Sequence, residues 1–456
     1  MLAYAFVFGA EIDRKQQNQQ EFESALAQYQ SGHLDQAATS LESLVEKLPQ
    51  SFDVHELLGM VYSAQGHKQQ ASGHFEKAVR LNPNSAAART NLATNLVETG
   101  KLGLAEAEFK RALTLDPHSY DTNHNLGEFY VTEGKIPLAV SFLETAQKLK
   151  PDAYDNGYDL ALAYVETDKN TQAQRAVVAL LKQKDTSELH SLLGEIEEKN
   201  RNFVAAEHEY ETAAHMDPSE SNLFDWGSEL LLHRTLDPAV EVFQRGTERY
   251  PQSQRLAIGL GMALYSRGNY DDAVKALLNA ADLNPSDPRC YYFLSKAYDS
   301  SPAQADDVIQ RFRRFAKLAP QNPHALYYYA MSLWKGRRAQ DADANFQQVE
   351  SLLKNSIQLD SKFPEAHLQL GNLYSDQKRY DLAMPQYERA LGLNADLPDA
   401  HYRLAQAFVH TGKKESAQRE LEIYQQQRAQ HLAELEKQRS EIRQFVYSAK
   451  GAPAGN

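Results

Sequence analysis

Four groups of residues in this chain are of the types that catalytic or cofactor chemistry uses, and their spacing argues against each. Gly259 and Gly261, in Gly259-Leu260-Gly261-Met262-Ala263-Leu264, form the one glycine-rich candidate. A dinucleotide cradle needs a strand before such glycines, so that backbone can approach a pyrophosphate, and this stretch lies inside a helical apolar period. The 15 histidines contain no His-Glu-x-x-His, and the pairs His118/His124 and His208/His215 lie at non-ligand spacings, so they read as solvated side chains. Asp271-Asp272 and Asp306-Asp307 are paired carboxylates of the kind general acid–base work uses. Each pair opens a helical period, where negative charge favours the helix dipole, and the role is structural. Cys290, the single cysteine, has no histidine placed by sequence to activate it and reads as a small packed residue. It also excludes an intramolecular disulfide and a multi-cysteine zinc or iron–sulfur site. The expectation is a chain that is not an enzyme, with no metal site and no cofactor.

Composition narrows the partners. The 456 residues carry 48 Lys+Arg against 61 Asp+Glu, a net charge of −13, which repels phosphate backbones and argues against nucleic acid and anionic membrane surfaces. With 42% hydrophobic and 24% charged residues, the chain has enough apolar material for a buried core. No apolar run has the length of a transmembrane segment. Met1 to Ala10 are uncharged and mostly apolar (Leu2, Tyr4, Phe6, Val7, Phe8). Two readings of residues 1–17 stand: a truncated export signal without its basic leader, which would place the chain outside the cytoplasm, or an apolar lead-in packing on the first helix of a cytoplasmic protein.

The elements that position all these residues are set by a period. Pro49, Pro83, Pro117 and Pro151 are spaced by 34 residues, and Pro218, Pro251, Pro285 and Pro320 follow at 33, 34 and 35. Asp185 stands where the proline between Pro151 and Pro218 belongs. A proline lacks the N–H and fixes φ, so one at this regularity separates helix from helix. Between prolines the same residues recur: Leu58-Gly59, Tyr62, Gly66, Ala71, Phe75, Ala78, then Leu92-Ala93, Leu96, Gly100, Ala105, Phe109, Ala112, then Leu126-Gly127, Tyr130, Gly134, Ala139, Leu143, Ala146. Spacings of three and four mark amphipathic helices, and the glycines at Gly66, Gly100 and Gly134 mark the turns between them. Each unit is a helical hairpin with too little apolar surface to stand alone.

This pattern resembles the tetratricopeptide repeat over nearly the whole chain. The resemblance implies an all-α fold, an α-solenoid of about twelve stacked helix-turn-helix hairpins in a right-handed superhelix. The solenoid spans residues 18–424, with an insertion near 335–347 that carries the basic loop Lys335-Gly336-Arg337-Arg338. Ser300-Ser301-Pro302-Ala303 replaces a turn glycine, so that hairpin is expected to splay. Residues 425–448 continue as a capping helix, with a coiled-coil dimer seam as the rival reading, and 449–456 form a disordered tail.

By resemblance the first helix of each repeat lines a concave groove that holds a peptide, and the implied function is a non-catalytic protein–protein interaction scaffold. The alternative is an accessory binding subunit of a multi-protein enzyme or of an envelope or secretion assembly whose catalysis is on another chain. In the first half the groove positions include Asp53, Glu56, Met60, Asp121, Glu128 and Asp155, an acidic surface. It lacks the Lys, Asn and Arg by which some family members clamp chaperone C-termini, since Glu56, Met60, Asp121 and Asn125 stand there. In the second half the groove positions are Arg289, Tyr292, Lys296, His324, Tyr327, Met331 and Trp334. Aromatic area beside cationic donors suits a peptide partner with acidic and apolar residues. The competing reading is that Tyr327 and Trp334 fill space created by the insertion. The expected partner is a protein or peptide, with no nucleic acid and no small-molecule cofactor, bound by a monomer or by a dimer through the C-terminal helix.

Overall fold

A computed structural model describes residues 2–301, 304–336 and 342–429, together with Ser440 and Arg443. Side chains are described from residue 14 to 428, apart from 302–303 and 337–345. The basic loop beyond Gly336 lies outside these residues, and so do the tail and the capping segment beyond Ala429, those two positions apart. Among the described residues there are 24 α-helices and no strand, and none of the helices is long and apolar enough to cross a membrane.

Residues Met1–Arg201 form one compact unit. It holds α1 (Leu2–Gln30), α2 (Leu34–Lys47), α3 (Phe52–Ala64), α4 (Lys68–Leu81), α5 (Ala86–Glu98), α6 (Leu102–Leu115), α7 (Tyr120–Thr132), α8 (Ile136–Leu149), α9 (Tyr154–Glu166), α10 (Asn170–Leu181) and α11 (Ser187–Lys199). Residues Asn202–Asn456 form the second. It holds α12 (Phe203–Met216), α13 (Glu220–Leu232), α14 (Leu236–Arg249), α15 (Gln254–Arg267), α16 (Tyr270–Leu283), α17 (Pro288–Ser300), α18 (Ala305–Leu318), α19 (Pro323–Lys335), α20 (Ala342–Leu359), α21 (Pro364–Asp376), α22 (Tyr380–Leu393), α23 (Pro398–His410) and α24 (Lys414–Ala429). In the first unit α1 to α10 pair as hairpins, and in the second α13 to α24 do. Residues 2–17 are helical and continuous with the rest of α1.

Serines begin many of the first helices. Ser51, Ser85, Ser119 and Ser253 each follow a repeat proline by two positions, and their hydroxyls accept from the N–H groups of Val54, Ala88, Thr122 and Leu256. Asp287 and Asn322 cap α17 and α19 in the same way after Pro285 and Pro320. Each cap satisfies a helix N–H that has no intrahelical acceptor and contributes about 1 kcal/mol.

Inside a hairpin the two helices meet at one repeated contact. A small residue on the first helix faces a large one sixteen positions on: Gly59 and Phe75, Gly127 and Leu143, Gly227 and Phe243, Gly261 and Leu277, Gly371 and Tyr387. A Cβ at Gly59 would lie 2.7 Å from the Phe75 ring, so the close approach requires glycine. Seven positions after the small residue the turn places one residue in the left-handed region, at Gly66 (φ +77°) and also at Asp168 (+56°), Arg234 (+62°) and Lys378 (+56°). Adjacent hairpins are tied by tyrosines on first helices that donate to glutamates on the preceding second helix: Tyr62 to Glu42 at 2.5 Å, Tyr130 to Glu106 at 3.0 Å, Tyr164 to Glu144 and Tyr374 to Glu350 at 2.9 Å.

Two hairpins depart from this geometry. In α17/α18 the large residue, Phe312, comes one position late, and Phe315 takes the seat that alanine holds elsewhere. Tyr291 stacks on Phe315 at 4.1 Å, and α17 and α18 pack less closely than the other paired helices from α13 to α24. In α20 the core seats fall seven positions late, on the buried Val349, Leu353 and Ser356. The helix resumes in register, with Ser356 donating to the Pro323 carbonyl at 2.9 Å.

Candidate functional site

The residues of catalytic type have structural surroundings. Gly259 and Gly261 lie within α15, pressed against Phe243 and Leu277. Cys290 is fully buried, and burial, helped by the Asp287 charge, pushes its thiol up to about 12. Such a thiol is a poor nucleophile at neutral pH. Asp271-Asp272 and Asp306-Asp307 stand in the first turns of α16 and α18, where Asp272 pairs with Lys275 and Asp307 with Arg311, both at 2.9 Å. Among the described residues no three His, Cys, Asp or Glu side chains are gathered as metal ligands.

The seven residues of the second half that the sequence expects to face the groove fall on α17 and α19. Their first helices are neighbours, and Lys335 links the end of α19 to α17 by pairing with the Asp299 carboxylate and donating to its carbonyl at 3.2 Å. Arg289 is committed to the cap of its own helix: its Nη2 lies 2.7 Å from Asp287 Oδ2, and its Nε donates to both carboxylate oxygens at 3.1 Å. Lys296 stands with its ammonium 5.7 Å from the centre of the half-buried Tyr292 ring. His324 is exposed and meets Phe363 edge-on at 4.5 Å. Tyr327 meets the same Phe363 at 5.0 Å and Tyr328 at 5.8 Å, and burial raises its phenol pKa. Met331 is half-buried. Trp334 turns to its own hairpin, where it meets Phe346 of α20 at 5.6 Å.

The structure therefore brings His324 and Tyr327 together over Phe363, and Tyr292 together with Lys296, while Arg289 and Trp334 serve cap and hairpin. Phe363, just before α21, is the residue that sequence reasoning missed. Its signal is its place directly before Pro364, at the start of the next repeat's first helix. Tyr291, Tyr328 and Tyr329 are buried between helices, as their positions predict.

In the first unit the same face is a polar ladder. Asn91 donates to Glu56 at 3.3 Å, Asn125 to Thr94 at 3.3 Å, and the Thr90 and Thr122 hydroxyls share a buried 2.8 Å hydrogen bond. Its acidic side is concentrated around Asp159, whose carboxyl burial pushes up to about 6. His124 opposes that rise, and Glu128 and Asp155 add to it. Burial, with Asp53 beside it, raises Glu56 as well, and the Asn91 hydrogen bond lowers it.

Paired helices repeating at 34 residues, with side chains displayed on their first helices, define a helical-repeat scaffold for protein interaction. The signature described as the tetratricopeptide repeat matches residues 22–86, 56–120, 90–154, 158–221 and 224–288, and a related repeat signature matches 371–412. These spans cover more than half of the chain, which belongs to the tetratricopeptide repeat family. No curated protein sequence matches it. Among solved structures it is similar to the Cut9–Hcn1 tetramer of the APC/C (15% identity, 92% of this chain and 95% of that one, TM-score 0.39). It is similar also to yeast Tom70 (14%, 89% and 97%, 0.35) and to Pseudomonas aeruginosa PilF (22%, 45% and 94%, 0.38).

Proposed function

We propose that the chain is a non-catalytic scaffold that holds a peptide segment of a protein partner on the first-helix face of its second unit, between α17 and α21. The observation that carries this reading is the pair His324 and Tyr327 braced on Phe363, with Tyr292 and Lys296 on the neighbouring first helix. Rings fixed by a buried neighbour lose little rotamer freedom on binding, which suits them as anchors. A cation beside them favours a partner segment with acidic and apolar residues. Trp334, held against Phe346, supports the hairpin, and Arg289 supports the α17 cap.

The test is selection of binders from a random peptide library on the intact protein, followed by titration of the best peptide against the double variant Tyr292→Ala/Tyr327→Ala. Expected are peptides rich in acidic and apolar residues, weakened about thirtyfold or more in the variant with helicity unchanged. Peptides that bind both proteins equally would move the site elsewhere.

A further inference from the structure

A cavity of about 520 Å³ opens between the last turns of two second helices, α16 and α18. It is separate from the first-helix face, and the proposed peptide site does not use it. Asp282 of α16 and four cations of α18, Arg311, Arg313, Arg314 and Lys317, line it with Leu318. The one carboxylate is shared. Arg311 Nη2 reaches Asp282 Oδ2 at 2.9 Å, and Arg314 Nη2 reaches Oδ1 at 2.8 Å. Burial would raise the Asp282 carboxyl, but the hydrogen bonds from Arg311 and Arg314 outweigh it and hold the group below its ordinary value, so it stays ionised. Asp307 takes a further bond from Arg311 at 2.9 Å.

Arg313 and Lys317 are left over. Both are exposed, and among the described residues neither has a carboxylate at ion-pair distance. Arg313 is nonetheless fixed, because its Nε donates to the Tyr329 hydroxyl at 2.9 Å. Leu318 is 56% exposed at the rim. Two cations without a carboxylate partner among the described residues, beside an exposed leucine, form a patch opposite in sign to the chain's net charge of −13.

We propose that this cavity is a second interaction site, which takes a glutamate- or aspartate-rich segment of a protein partner, with an apolar side chain packed on Leu318. A guanidinium anchored through Nε presents its two terminal nitrogens to a carboxylate without further ordering. An extended polyphosphate such as RNA fits less well. It would leave the four cations within a few nucleotides and meet a chain of net charge −13, whereas a short acidic segment ends where the cations do.

The experiment titrates fluorescein-labelled hexaglutamate into the full chain at low salt, with hexaglutamine, inorganic phosphate and a single-stranded oligonucleotide as separate arms. The proteins are wild type, Arg313→Gln/Lys317→Gln, Lys317→Gln alone and Tyr292→Ala/Tyr327→Ala. The Tyr329 hydroxyl keeps its bond from Gln348 at 3.1 Å when Arg313 is replaced, and the single Lys317 variant leaves the Arg313 contact intact. Expected is hexaglutamate binding that salt weakens, absent for hexaglutamine, reduced at least about tenfold in the Arg313/Lys317 double variant and partly in Lys317→Gln. Tyr292→Ala/Tyr327→Ala is expected to bind hexaglutamate as wild type does, which keeps this site distinct from the proposed peptide site. Equal binding by the α18 variants, loss in the Tyr292/Tyr327 variant alone, or binding of phosphate or oligonucleotide without hexaglutamate would each overturn the proposal.

Discussion

Asp159 is a weaker acid than an ordinary aspartate because burial on α9 disfavours its charged form; His124 opposes the rise, and Glu128 and Asp155 add to it. Its carboxyl titrates near 6 in the folded protein against about 3.8 in the unfolded chain. The folded state then binds more protons than the unfolded one between these values, so stability falls as pH rises through that window and the full cost is present at neutral pH. Asp159→Asn is expected to raise stability at neutral pH by at most about 1 kcal/mol, since a half-exposed group is screened by solvent, and to change little near pH 3, below both values. Urea midpoints of the two proteins at both pH values check this; an equal shift at both would assign the effect to packing. Other single residues were hard to read from the sequence. His55, Arg89, Asn123, Tyr291 and His401 each bond the carbonyl six positions back, at 3.2, 2.9, 3.0, 2.9 and 3.2 Å, and so fasten the bend between hairpins. The position is constant but the residue type is not, because any side chain with a polar atom at the right reach can close that bond, and a search for repeated residue types passes over it.

The turn inside each hairpin shows the opposite balance of signal and geometry. Where glycine stands, as at Gly66, the sequence marks the turn directly. Where Asp168, Arg234 or Lys378 stands, only the seven-residue offset from the small packing residue locates it, yet the backbone adopts the same left-handed conformation. A side chain with a Cβ held there costs about 1 kcal/mol, because the Cβ crowds the following carbonyl oxygen. Among the described residues these three side chains make no hydrogen bond or ion pair, so replacing them removes no polar contact. Arg234→Gly and Lys378→Gly are each expected to stabilise by about 0.5 kcal/mol, once glycine's greater freedom in the unfolded chain is subtracted. Thermal midpoints measure this, with Gly66→Ala as the reverse control, expected to lose about 1 kcal/mol. A fall in the midpoint of both glycine variants would show that the turns are not strained. The insertion near 335–347, which reaches into α20, was equally legible as a length, because Val349, Leu353 and Ser356 return to the core seats seven positions late. What the length could not show is that Phe346 uses the extra residues to meet Trp334, which separates that tryptophan from Tyr327 in role.

At the scale of the whole chain the period is continuous while the core is not. Leu193-Gly194, Ala206, Tyr210 and Ala213 keep the repeat pattern across residues 187–216, so the sequence reads this hairpin as one among twelve. The division between compact units nevertheless falls inside it, between Arg201 and Asn202. One local sign accompanies the break: Asp185 replaces the proline before this hairpin. The first unit has its own apolar core, from Ala25 through Phe75 and Phe109 to Ile196, and a solenoid is stable to the extent that each hairpin finds its neighbours. Residues 1–201 are therefore expected to fold alone, with helical circular dichroism and a cooperative urea transition. A fragment ending at Glu166 cuts the hairpin between α9 and α10 and removes Val177 and Leu180, both buried, the latter packed against Gly157. Removing two such aliphatic side chains from a core costs about 2–5 kcal/mol each, so this shorter fragment is expected to unfold at markedly lower urea. Equal midpoints for the two fragments would mean that stability is set near the N-terminus and does not depend on the last hairpin. A non-cooperative 1–201 would mean that the first unit needs the second to complete its fold, and that the twelve hairpins act as one body despite the break in the core.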